Sequence, residues 1–140
     1  MSNGGVKSRD LRYAVVFLRN ALGVGHLSAV ADRFGLWGSF GTASVAWGNF
    51  HNFVAYVGKL NPWCPARLVP TLSRMATVAE IVIGVALISG FYRRTVGLLS
   101  GLLALSFAAA MTAVLGVHAP VNYSVFVVAA ASFVLAAIQD

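Results

Sequence analysis

The chain has 140 residues, of which 59% are hydrophobic and only 10% are charged, and its mean hydropathy is +0.80. This composition is unlike that of soluble domains and predicts one domain that is dissolved in lipid. The net charge of +6 does not indicate nucleic-acid binding, because the basic residues are spread between apolar runs. The single cysteine, Cys64, excludes an intrachain disulfide and a Cys-x-x-Cys redox pair.

Four apolar segments are long enough to cross a bilayer as helices, since a hydrocarbon core of about 30 Å needs about 20 residues. They are residues 13–31, 72–91, 95–117 and 121–138. Only three residues separate the last two segments, which predicts an antiparallel helical hairpin. The fold prediction is therefore all-α, an integral membrane four-helix bundle in which residues 1–140 form one domain.

The first segment has an alternative interpretation as a secretory signal peptide. Basic residues between positions 7 and 12 precede an apolar stretch that ends in Ala29-Val30-Ala31, a pattern typical of signal cleavage. Arg19 and His26 favour a membrane span instead, because the apolar core of a signal peptide lacks such residues.

The distribution of basic residues predicts the orientation of the spans. The N-terminal tail and the turn after the second span lie on the same side of a four-span protein and carry Lys7, Arg9, Arg12, Arg93 and Arg94. Because Lys and Arg accumulate in cytoplasmic loops, we expect both termini in the cytoplasm.

The segment 32–70, which is then the outer loop, holds eight of the sixteen aromatic residues. Phe50, Phe53 and Val57 recur at helical spacing while His51 and Lys59 fall on another face, which predicts a short helix lying in the membrane interface. Aromatic anchoring at the headgroup level is the favoured role of this loop, and a binding lid is the alternative.

Polar residues follow one face of the first span. Arg12, Arg19, His26 and Arg33 are seven residues apart, which lines them along one side of a helix. Glu80 is the only acidic residue expected in the middle of a span. Because a charge in hydrocarbon is costly without a partner, we predict a buried ion pair between Arg19 and Glu80.

The predicted polar site inside the bundle consists of Arg19, His26, Arg74 and Glu80, with Asp32 and Arg33 at the mouth. This site is either a salt bridge that sets helix register or a functional centre for protons or a ligand. A site in which two of His26, His51 and His118 bind haem or a metal is conceivable. No paired histidine spacing within a helix supports it, and we predict no metal.

Small residues in the third span predict close helix packing. Gly97 and Gly101 form a GxxxG motif, whose partner is a helix of the same chain or of another subunit.

Two stretches of the chain share motifs with a known family. The first span contains Leu18-Arg19-Asn20-Ala21-Leu22-Gly23, and the second contains Ala79-Glu80-Ile81-Val82-Ile83-Gly84 followed by the basic turn Gly90-Phe91-Tyr92-Arg93-Arg94. These stretches resemble the DoxX family of small bacterial membrane proteins. The resemblance implies four spans in the bacterial inner membrane. It also implies a link to quinone-dependent oxidoreductases or to enzymes of oxidative-stress defence.

Three functional hypotheses follow. The leading one is an accessory membrane subunit that docks a redox-enzyme partner, or presents a quinone-sized ligand to it, without a covalent cofactor. The second is a self-sufficient enzyme acting on a lipophilic substrate, with Glu80 or His26 as general acid or base. The third is a small transporter or proton path that uses Arg19 and Glu80. Membrane lipid and a second copy of the chain are the other expected partners.

Overall fold

A computed structural model describes residues 7–138, and every regular element in that range is helical. The helices are α1 (Ser8–Arg33), α2 (Phe50–Leu60), α3 (Val69–Ser89), α4 (Arg93–Leu115), α5 (His118–Asn122) and α6 (Val125–Ala137). A short 3-10 turn, Ala66–Leu68, leads directly into α3. The all-α prediction is confirmed for this part of the chain.

Three of these helical segments are long and apolar enough to cross a membrane: Ser8–Arg33, Ala66–Ser89 and Arg93–Leu115. They correspond to the first three predicted spans. The prediction of one continuous helix over 121–138 is wrong, because the chain breaks between α5 and α6. Ser124 at the break has a φ of 57°, a left-handed conformation that no α-helix continues through.

Both backbone groups of Ser124 are hydrogen-bonded at the break. The Ser124 N–H donates to the Val121 carbonyl at 3.0 Å, and the Ser124 carbonyl accepts from the Val128 N–H at 3.1 Å. The 13 residues of α6 extend about 20 Å at 1.5 Å per residue. Alone, α6 is therefore shorter than a hydrocarbon core.

Four of the helices pack as two close pairs, α1 with α3 and α4 with α6. In the first pair Gly23 faces Gly84, and a Cβ atom placed on Gly23 would lie 2.8 Å from the Gly84 carbonyl oxygen. In the second pair a Cβ atom on Gly97 would lie 2.9 Å from the Ser132 carbonyl oxygen. The GxxxG motif of α4 thus packs against α6 of the same chain.

Helix α2 lies across one end of the bundle and contacts both α3 and α4. We call this end, where α1 finishes and α3 begins, the α2 end, and the opposite end, at the α3–α4 connection, the turn end. Phe53, Val57 and Leu60 are buried whereas His51 and Lys59 are exposed, which confirms the predicted amphipathic helix.

Candidate functional site

A buried ion pair joins α1 to α3 near the α2 end. Arg33 Nη2 contacts Glu80 Oε2, and the residues are only 1% and 6% exposed. Arg33 Nη1 also donates to Thr77 Oγ1 at 3.0 Å, and the Thr77 hydroxyl donates to the Ser73 carbonyl at 2.8 Å. Residue 33, predicted at the mouth of the bundle, therefore lies within it as the partner of Glu80.

The predicted Arg19–Glu80 pair is wrong. The Arg19 guanidinium lies beside Gly90, the residue that ends α3. The two are so close that a Cβ atom added to Gly90 would collide with the guanidinium. Gly90 is ten residues beyond Glu80, or about 15 Å along a helix. The close contact of Gly23 with Gly84 sets the register of α1 and α3, and this register places Arg19 level with the C-terminus of α3. A cation is favoured there because the helix dipole is negative at that end.

Two aromatic rings cover the Arg33 guanidinium. Its Cζ atom lies 3.7 Å from the centre of the Phe53 ring of α2 and 5.3 Å from that of Trp47, which precedes α2. The two rings meet edge to face with centres 5.0 Å apart. Cation–π attraction of this kind is strongest where water is excluded, so the loop and α2 stabilise the buried charge.

One donor at this position is left unsatisfied. Arg33 Nε is buried and has no hydrogen-bond partner among residues 7–138, and the same is true of Arg19 Nε. Buried donors without partners are uncommon in native proteins because each costs about 1–3 kcal/mol. Arg33 Nε is thus a buried donor whose hydrogen bond no residue of the described chain accepts.

His26 extends the cluster towards the other pair of helices. Its Nδ1 atom lies 3.7 Å from Glu80 Oε1, and its Nε2 atom is 2.8 Å from the Ser100 hydroxyl of α4. Ser100 Oγ is in turn 2.8 Å from Ser132 Oγ of α6. Glu80, His26, Ser100 and Ser132 are all buried, so a hydrogen-bonded line from His26 through Ser100 to Ser132 joins α1, α4 and α6, with Glu80 of α3 in close contact at its start.

Asp32, the other residue predicted at the mouth, organises the loop instead of entering the cluster. Its carboxylate accepts the backbone N–H groups of Ala46, Trp47 and Gly48 at 2.8 to 3.2 Å. These bonds hold Trp47 at the position where it covers Arg33. Asp32 therefore acts as a positioning residue for the aromatic cover.

Arg74 does not belong to the buried cluster, contrary to the prediction. It is exposed, and together with Met75 and Val78 of α3 and Leu99 and Leu102 of α4 it lines a groove on the surface of the bundle. Six residues rotate a helix by about 240°, so Arg74 cannot share a face with Glu80.

The sequence-based site lacked several residues that the fold brings to the cluster. Thr77, Ser100 and Ser132 complete its hydrogen bonds, and Trp47 and Phe53 cover it. The seven-residue spacing in α1 already put His26 and Arg33 on one face. No comparable signal distinguishes Ser100 from other small residues of α4.

One group near the site, Tyr56 of α2, has a shifted pKa. Burial, with a smaller contribution from Tyr123, raises the pKa of its phenol above the usual value of 10.0. Tyr56 is therefore neutral at physiological pH. Among residues 7–138 no group of three or more His, Cys, Asp or Glu side chains could hold a metal ion.

The geometry permits a limited chemistry. Arg33 and Glu80 form a buried ion pair in which the two charges neutralise each other. His26 and Glu80 are side chains that can hold or pass a proton. Arg33 Nε has an N–H group that can donate to an oxygen acceptor. Comparison with known proteins adds no constraint, since no protein-family model, no curated protein and no solved structure matches this chain.

Proposed function

We propose that this protein is an accessory subunit of a membrane-associated redox complex and that it holds a quinone-class ligand at Arg33. It is a DoxX-like protein of the bacterial inner membrane in this proposal. Its four crossings are α1, α3, α4 and the broken α5–α6 segment, with both termini in the cytoplasm. The basic residues of the N-terminal tail and of the α3–α4 turn support that orientation.

The observation that carries the proposal is the unsatisfied Arg33 Nε beneath two aromatic rings. A quinone is a flat ring with carbonyl acceptors and an apolar tail, so it matches a buried donor that is covered by Trp47 and Phe53. His26 and Glu80 are the proton-exchanging groups beside this donor, and quinone reduction consumes protons. The ionisable groups would otherwise be an expensive feature of an apolar bundle.

Tryptophan fluorescence tests ligand binding at this position. In a Trp37→Phe, Trp63→Phe background Trp47 is the only remaining tryptophan. We expect a short-chain quinone, titrated into protein in lipid nanodiscs, to quench Trp47 with a saturable curve. Arg33→Lys keeps the positive charge next to Glu80 but removes Nε, so it should convert the curve into the linear quenching of a partitioning solute.

Arg94→Lys at the turn end is the matched control and should retain saturation. Linear quenching in the unsubstituted background, or saturation that Arg33→Lys leaves unchanged, would contradict quinone binding at Arg33. The accessory role is tested separately by crosslinking in native membranes followed by mass spectrometry. Recovery of a redox enzyme supports it, and recovery of the chain alone contradicts it.

A proton path is the second candidate, and it is favoured by the line of groups from Glu80 through His26 and Ser100 to Ser132. Vesicles that contain the protein should then dissipate an imposed pH gradient faster than empty vesicles. Ser100→Ala should remove the excess rate because it interrupts the line at its centre. Equal rates with and without the protein would dismiss this function.

A further inference from the structure

The surface groove between α3 and α4 is separate from the buried cluster. It has a volume of about 820 Å³ and is lined by side chains of α3 from Thr71 to Ile83 and by Leu99, Leu102 and Leu103 of α4. Apart from Thr71 and Arg74, its lining side chains are apolar. The groove lies between the two helix pairs, where α3 and α4 pack less closely than either packs with its own partner.

The groove is long and opens towards the α2 end. Its α3 wall runs over 13 residues, or about 18 Å from the first to the last, whereas its α4 wall ends at Leu103. Near the turn end both helices line the groove, and from Ala79 back to Thr71 only α3 does. This shape accommodates an extended alkyl chain that enters from the α2 end.

Arg74 supplies a positive charge at the open end. It is exposed and has no ion pair or hydrogen bond with any residue of the described chain 7–138. It lies five residues after the start of α3, or about 8 Å along the helix, a depth from which an arginine side chain reaches the membrane interface. Thr71, one turn earlier on the same wall, adds a hydroxyl donor.

We propose that this groove is a binding site for one anionic phospholipid, with the phosphate at Arg74 and an acyl chain along α3. An arginine fork matches phosphate oxygens, and the apolar wall matches the chain. The lipid fills the space that α3 and α4 leave between them and so joins the two helix pairs. This site is distinct from the proposed quinone position, and either one can exist without the other.

A second copy of the chain fits the groove less well than a lipid, because its residues 7–138 offer no suitable anion. Among residues 7–138 the acidic side chains are Asp10, Asp32 and Glu80. The last two are buried, and Asp10 lies in the first turn of α1, at the other end of the bundle. Two grooves that faced each other would also bring their Arg74 charges together. The phosphate of a lipid in the surrounding bilayer has neither problem.

Native mass spectrometry of the full chain tests the site. The protein in detergent is mixed with equal amounts of phosphatidylglycerol and phosphatidylcholine that carry identical acyl chains. When the detergent is removed in the mass spectrometer, we expect the protein to retain one phosphatidylglycerol molecule. Arg74→Gln should lower this retention about tenfold, because a charge-assisted bond to phosphate is lost. Arg94→Gln, an exposed arginine at the turn end, should change it less than twofold. Ala79→Phe, which fills the groove, should abolish retention of either lipid.

Circular dichroism of each variant, with helix content equal to that of the parent, shows that lost retention is not lost folding. Equal retention of the two lipids, or unchanged retention in Arg74→Gln, overturns the proposal. So does a second copy of the chain or a quinone in place of the phospholipid. A quinone that is lost in Arg33→Lys but kept in Arg74→Gln is bound at the quinone site. Such a result supports the quinone site alone, and the phospholipid retention decides the groove.

Discussion

The side chains around Glu80 explain why this ionisable residue can be buried in an apolar bundle. Its carboxylate faces the Arg33 guanidinium on one side and His26 on the other, and Phe53 and Trp47 shield the arginine from lipid and water. Each charge is costly to bury alone, and the pair removes most of that cost. Loss of one partner should therefore be worse than loss of both.

The variant Glu80→Gln tests the ion pair. It leaves the Arg33 charge buried and uncompensated, so we expect the free energy of unfolding to fall by about 3–5 kcal/mol. Unfolding by denaturant in detergent micelles, followed by circular dichroism, measures this. The double variant Glu80→Leu, Arg33→Met should lose less than Glu80→Gln does, because no lone charge remains. A Glu80→Gln protein as stable as the parent would show that the pair is not important.

Ser100 tests the connection between the two helix pairs. Its hydroxyl bridges His26 Nε2 and Ser132 Oγ, so Ser100→Ala leaves His26 Nε2 of α1 without this hydrogen bond, whereas Ser132 keeps its bond to the Val128 carbonyl. We expect a loss of about 1–3 kcal/mol in the same unfolding assay. Ser106→Ala is the control, since Ser106 is exposed and bonds only the Leu103 carbonyl of its own helix, and it should change stability by less than about 0.5 kcal/mol. Similar effects of the two substitutions would argue against a bridging role.

The elements of the bundle are positioned by backbone contacts at glycine. Gly23 of α1 touches Gly84 of α3, and this contact decides which residues of the two helices lie level. It puts Arg19 beside Gly90 and Arg33 beside Glu80. The need of a buried charge for a partner does not reveal this register, which is why the predicted partner of Glu80 was wrong.

Gly23→Ala tests the contact between α1 and α3. The added methyl group would lie 2.8 Å from the Gly84 carbonyl oxygen and 2.7 Å from Ile88 Cγ1. Because the backbone cannot move without separating the helices, we expect a loss of about 1–3 kcal/mol in thermal or denaturant unfolding. Gly25→Ala, where nothing lies within 4 Å, should instead be neutral or slightly stabilising, since alanine favours helix. A Gly23→Ala protein that behaves like Gly25→Ala would refute the close approach.

At the scale of the whole molecule, three helices within residues 7–138 are long and apolar enough to span a membrane, and the fourth crossing is a proposal that relies on α5 and α6 together. Helix α6 packs along α4 over much of the length of α6, which favours a membrane crossing by α5 and α6 together. The proposed topology then places α2 and the loop around Cys64 outside the cytoplasm.

Cysteine labelling tests this topology without a cysteine-free background, because Cys64 is the only cysteine. It is partly exposed at the α2 end of the bundle. We expect a membrane-impermeant maleimide to label Cys64 in intact spheroplasts. In the variant Cys64→Ser, Tyr92→Cys, the thiol at the turn end should react only after the membrane is opened. The reverse pattern would invert the orientation, and labelling of both sites from outside would exclude the four-crossing topology.

Composition and apolar run length determined the helical class, the first three long helices and the amphipathic α2. These follow from local physics, because a backbone in lipid must satisfy its own hydrogen bonds and only a helix does so within one segment. The seven-residue spacing likewise determined that His26 and Arg33 share a face. Only the tertiary structure decided that Glu80 meets Arg33, that Ser100 and Ser132 join His26, and that Arg74 faces a groove. Those contacts depend on helix register and rotation, which are set by interlocking glycines and side chains from distant parts of the chain.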